Sequence, residues 1–112
     1  MIEMKRNDLE PSVRGIIEAP PGTPVDITGC PVRFIMRLQG SVGVLPSPPK
    51  VDAYATVVDG VAGIVEYAWA DGDTDTAGTY LAEFEVTFAG GRRRTFPSKG
   101  HLFVVISPDL DG

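Results

Sequence analysis

From Tyr80 to Phe88 every second residue is apolar: Tyr80, Ala82, Phe84, Val86 and Phe88. Glu83, Glu85 and Thr87 lie between them, with Leu81 the one apolar residue on the polar side. A helix advances about 100° per residue and would scatter these side chains around its surface, whereas a strand sends them to one face. The segment therefore reads as a strand with one buried and one wet face. It must bury its apolar face against a second layer.

The same period recurs along the chain. Val32, Phe34, Met36 and Leu38 share one face of Pro31 to Leu38, while Arg33 and Arg37 share the other and Ile35 interrupts the wet face. Val51, Ala53, Ala55 and Val57 alternate with Asp52, Tyr54 and Thr56. Val65, Tyr67 and Trp69 alternate through Ile64 to Trp69. Val13, Gly15 and Ile17 form a weaker run, Val25-Asp26-Ile27 a short extended piece, and Leu102, Val104 and Ile106 a closing one.

Turn residues separate these runs: Ala19 to Pro24, Thr28-Gly29, Asp59-Gly60 with Ala62-Gly63, Ala89-Gly90-Gly91, and Pro97 to Gly100. The chain carries 13 Gly and 10 Pro, which favours many short elements over a few long helices. The pattern predicts an all-β fold, an antiparallel β-sandwich of about seven to nine short strands. A closed small barrel is the runner-up.

A chain of 112 residues fits one domain spanning 1–112. Residues 1–8, with Ile2 and Met4 on one side, read as an edge strand or as an arm that docks on a neighbour. Residues 107–112 read as a frayed tail. Gln39 to Lys50 is a loop by composition, yet it holds Val42, Val44 and Leu45. These either fold back on the core or form a contact surface.

The net charge is -5, so phosphate backbones exert no general pull on the chain, and nucleic acid is not an expected partner. No apolar run approaches the ~20 residues of a membrane span, and the charged start MIEMKRNDLE is unlike a secretory signal. The single Cys30 excludes an internal disulfide and a cysteine-based zinc cluster, and reads as a small apolar filler.

Asp71-Gly72-Asp73-Thr74-Asp75 has the acidic spacing of a calcium loop. The full template also needs Gly at its sixth position and a bidentate Glu at its twelfth. Here Thr76 and Ala82 occupy those places. The stretch reads instead as a polar turn, in which Asp and Thr side chains bond nearby backbone N–H groups. No metal and no cofactor is expected. Gly78 and Tyr80 follow as a structural corner. In immunoglobulin-like sandwiches a tyrosine at the start of a late strand bonds back to the chain just upstream.

Catalytic chemistry is poorly supplied, and the protein is expected not to be an enzyme. His101 is the lone histidine and reads as a strand-end surface residue. No nucleophile elbow, Walker loop or HExxH is present. Arg92, Arg93 and Arg94 follow a Gly-Gly turn without a helix, so they form no phosphate loop. On a strand Arg92 and Arg94 point one way and Arg93 the other. They read as a charged hairpin end that discourages aggregation, or as a contact to an acidic partner protein.

Taken in order, IEMKRNDLEP, PVDITGCPVRFIMR, VVDGVAGIVEYAWADGDTDTAGTYLAEFEVTFAGGRRRTFP and HLFVVI cover most of the chain. In this order they resemble the N-terminal immunoglobulin-like domain of bacteriophage upper baseplate proteins and related small phage virion proteins. Asn7-Asp8 stands where that family usually has Gly-Asp. The resemblance implies a structural protein of the virion, an assembly or attachment module of tail, baseplate or neck, or a head decoration protein. It also implies other virion proteins as partners and several symmetric copies. On this reading the contact candidates come from the residues themselves: Ile2, Met4, Val42, Val44 and Leu45, apolar where a solitary domain would prefer polar residues, and the basic hairpin Arg92, Arg93 and Arg94. The alternative is a carbohydrate- or cell-surface-binding module on the same fold, with Trp69 and Tyr54 or Tyr67 stacking a sugar.

Overall fold

The alternating runs become strands in the computed structural model, which describes residues 1–19, 22–39, 48–97 and 101–110. Among the described residues these are β1 (Ile2–Lys5), β2 (Val13–Ile16), β3 (Val32–Leu38), β4 (Val51–Tyr54), β5 (Thr56–Asp59), β6 (Ile64–Tyr67), β7 (Gly78–Thr87), β8 (Arg93–Phe96) and β9 (Leu102–Ser107). The larger sheet runs β1-β9-β7-β3-β4, with β8 also pairing β7, and the smaller runs β2-β6-β5. In immunoglobulin lettering β9-β7-β3 is G-F-C and β2-β6-β5 is B-E-D.

The two inner faces meet in one core. Val32, Phe34 and Met36 of β3, Tyr80 to Val86 of β7 at alternate positions, and Val104 and Ile106 of β9 are buried on one side. Val13, Ile17, Val65, Tyr67 and Trp69 are buried on the other. Phe34 joins the layers: its ring stacks on Tyr67 at 4.6 Å and 11°, and meets Trp69 edge-on at 5.8 Å. Gly15 faces inward, and a Cβ there would come within 3.0 Å of the Phe84 ring, so the small residue lets that ring approach β2.

Four expectations change. First, the sandwich is not wholly antiparallel, because β1 lies parallel to β9 with Ile2↔Val104 and Met4↔Ile106. Second, Val51 to Val58 is not one strand. β4 pairs β3 in the larger sheet and β5 pairs β6 in the smaller, with Ala55 between them. Period two reports which side is buried, and that side is kept while the chain changes sheet. Third, Val25 to Ile27 forms no strand. Ile27 is nevertheless fully buried, and its N–H donates to the Gly60 carbonyl at 2.9 Å. Fourth, Leu38 points inward by period but is 44% exposed, because the core ends beside it.

The outer face of the larger sheet is tied by Arg33. Its Nε and Nη2 reach the Asp52 carboxylate, and Nη1 reaches Glu85 Oε1 at 3.0 Å. These accepting carboxylates hold the guanidinium charged, Asp52 first. Ser107, placed in the tail by the sequence pattern, is the last residue of β9 and pairs with Lys5. Asp109 lies 3.5 Å from Arg6 Nη2.

Candidate functional site

The D-x-D-x-D stretch connects β6 to β7. Asp73 Oδ2 accepts the Ala70 N–H at 2.9 Å and the Tyr67 hydroxyl at 2.5 Å. Burial and that carboxylate together push the Tyr67 phenol well above its ordinary range. Asp75 turns elsewhere: its Oδ1 accepts from Lys50 Nζ and from the Thr76 hydroxyl. These donors, Lys50 first, hold the Asp75 carboxyl below the usual carboxylate range. Asp73 thus closes the turn on itself and on Tyr67, while Asp75 ties it to Lys50, 25 residues upstream.

Thr74, between them, is 1% exposed. Its hydroxyl donates to the Asp8 carbonyl at 2.9 Å, and its own carbonyl accepts the Asn7 N–H at 2.9 Å. The turn therefore clamps the segment that follows β1. Local reading missed this pair because nothing in either segment marks the other as its partner. At the corner, Gly78 takes φ +156°, and a Cβ there would lie 2.9 Å from Leu38 Cδ1. The Tyr80 hydroxyl donates to the Thr76 carbonyl at 2.8 Å, the bond expected of an immunoglobulin-like corner.

The aromatic residues proposed for sugar stacking are divided by burial. Tyr67 and Trp69 are 5% and 6% exposed, and the indole Nε1–H donates to the Pro11 carbonyl at 2.8 Å. Only Tyr54 of the three presents its ring to solvent, at 71%. A planar apolar platform of Trp69 with Tyr54 or Tyr67 is therefore not presented.

The contact candidates separate as well. Met4 is 7% exposed and belongs to the core of its own domain, and the half-buried Ile2 packs against that core. β1 is thus an edge strand, and Met4 is not offered to a neighbour. Val42, Val44 and Leu45 lie outside the described residues. Arg92, Arg93 and Arg94 are exposed at the β7–β8 hairpin, and Arg94 Cζ sits 5.2 Å from the centroid of the buried Phe96 ring. His101 is exposed before β9.

Beside the hairpin is an open cleft lined by Asp26, Thr28, Cys30, Phe88 and Arg92, among others. Asp26 there accepts the Thr28 hydroxyl at 2.6 Å and its N–H at 3.0 Å, which lowers its pKa. Cys30 is half-buried and packs against the core.

Sequence reading also missed Ile16, Val58 and Val61, exposed by 57%, 44% and 71%. Ile16 and Val58 lie on β2 and β5 of the smaller sheet, and Val61 in the turn that leads to β6. The signal available was Ile16 beside Ile17, since adjacent strand residues cannot both face the core. No protein-family model matches the chain, and no curated protein matches it.

Proposed function

We propose that this protein is a non-enzymatic structural component of a bacteriophage virion. It serves as an assembly or attachment module of tail, baseplate or neck, or as a head decoration protein. Its partners are other virion proteins, it is present in several symmetric copies, and it is made in the cytoplasm of the host bacterium.

The observation that supports this best is how the phage-like segment is used. The stretch from Val57 to Pro97 carries the most specific part of the resemblance. It supplies most of β5 and all of β6, β7 and β8 in succession, with the Tyr80–Thr76 corner between β6 and β7. The features that distinguish the segment are thus the features that frame the sandwich. Its Asp73 and Thr74 are engaged in the turn and in the clamp on residues 7 and 8. That use agrees with a module whose work is to hold a shape and present surfaces.

The test is to purify virions of the encoding phage through a density gradient. Mass spectrometry and gold-labelled antibody then locate the 12.0 kDa chain. Recovery at constant ratio to the major virion proteins, with label on particles, is expected. Confinement of the chain to the particle-free lysate would overturn the proposal.

A further inference from the structure

β8 is a strand edge with an unusual charge. It pairs β7 through Phe84↔Phe96, Glu85↔Thr95, Val86↔Arg94 and Thr87↔Arg93. The Phe88 N–H donates to the Arg92 carbonyl at 2.7 Å. In an antiparallel ladder such pairs alternate, so residues 92, 94 and 96 bond towards β7 while 93 and 95 point their backbone groups away. The N–H and C=O groups of Arg93 and Thr95 have no partner among the described residues. Pro97 ends the edge, since it has no N–H to offer.

The side chains give this edge a sign. No carboxylate of a described residue pairs with Arg92, Arg93 or Arg94. Glu85, opposite Thr95, is already held by Arg33 at 3.0 Å. Two copies of β8 set edge to edge would oppose arginine to arginine, so the edge rejects its own kind. A strand bearing carboxylates gains at the same positions. Consecutive strand residues point to opposite faces, so Arg93 and Arg94 together call for two consecutive acidic residues.

We propose that β8 receives an extended acidic segment of a neighbouring subunit as an added strand, with consecutive carboxylates set against Arg93 and Arg94. Main-chain bonds to Arg93 and Thr95 hold the segment, and the arginines select it. The class of neighbour rests on the virion reading above; the strand addition itself does not.

The experiment titrates the isotope-labelled full chain with a blocked peptide of sequence Thr-Val-Asp-Glu-Val-Thr and, separately, with its Asn-Gln counterpart. Saturable amide shifts and slowed exchange are expected at Arg93 and Thr95, weakening with salt. The Asn-Gln peptide should bind about tenfold more weakly, and an Arg93→Glu, Arg94→Glu double variant should lose about tenfold for the acidic peptide. Thr95→Pro removes an outward N–H without touching the β7 ladder. It should also abolish binding, while the two charge reversals lower the melting temperature by no more than about 4 °C through loss of the Arg94–Phe96 contact. Equal binding of both peptides, shifts away from β8, or no saturation at about 1 mM peptide would overturn the proposal.

A second arm compares wild type and the double variant for incorporation into virions. At least about tenfold less variant is expected. Equal incorporation overturns β8 as the subunit contact. Absence of the wild type itself overturns the virion reading, and the peptide titration still decides the edge.

Discussion

The Tyr80 hydroxyl reaches the Thr76 carbonyl at 2.8 Å, four residues upstream, and so fixes the entry to β7. Tyr80 is 2% exposed and its ring lies in the core. Tyr80→Phe keeps the ring and removes only that bond, which contributes about 1 kcal/mol. The melting temperature should fall by about 4 °C, read by circular dichroism. Tyr54→Phe, at a 71% exposed residue outside the core, is the control and should not move it. An unchanged Tyr80→Phe midpoint would show that the corner bond does not contribute.

Much of this fold was legible because period two reports burial directly. Tyr80, Phe84 and Val86 are inside for the same reason that they alternate. Sheet membership was not legible. Val51 to Val58 alternates without a break across Ala55, and no local signal says that the chain leaves one sheet for the other there. The site shows a similar division. The corner at Tyr80 is local in sequence and could be read. The Thr74–Asp8 bond joins residues 66 apart, and neither segment names the other.

Gly63 and Gly90 separate conformation from space. Both take positive φ, +70° and +85°. A Cβ at Gly63 would stand 2.7 Å from the Ile17 carbonyl oxygen and 2.9 Å from that of Val25, both backbone atoms, whereas Gly90 opens to free space. Gly90→Ala should cost about 1 kcal/mol from backbone strain alone. Gly63→Ala should cost at least about 2 kcal/mol, since the clash adds to the strain. Urea unfolding of both variants checks the ordering, and equal losses would show that the β5–β6 turn yields without resistance.

The two core phenols set the alkaline limit. Burial, then the Asp73 carboxylate, raises the Tyr67 pKa above its ordinary 10.0, and burial also raises that of Tyr80. In the unfolded chain both ionise near pH 10, while in the fold they stay neutral. Their contribution is therefore complete below about pH 10 and is lost as pH rises beyond it. Melting temperature should decline above about pH 10, and Tyr67→Phe should decline less steeply, though from a lower start. Parallel slopes for the two proteins would remove Tyr67 from this role.

Calcium should leave the melting temperature where it is. Asp73 Oδ2 is engaged by Ala70 N–H and Tyr67 Oη, and Asp75 by Lys50 and Thr76. A specific ion would have to displace these donors. A ligand present at about 100 times its dissociation constant stabilises by about 2.7 kcal/mol, which a thermal scan would register easily. A rise of that size with calcium, absent with magnesium, would show that the acidic turn binds the ion after all.

Removing residues 1–8 tests whether the first strand is an arm or part of the domain. Met4 is 7% exposed and pairs with Ile106, so deletion opens a hole in the core as well as an edge on β9. Loss of a buried methionine side chain alone costs about 2–5 kcal/mol. The deletion also strands the Thr74 hydroxyl, 1% exposed, whose acceptor is the Asp8 carbonyl, and this adds about 1–3 kcal/mol. The shortened chain should therefore unfold well below the intact one or accumulate as aggregate through the bared β9 edge. Met4→Ala in the full chain isolates the core share, and Asp8→Ala leaves the backbone carbonyl in place and should change little. A shortened chain that melted like the intact protein would return residues 1–8 to the role of a detachable arm.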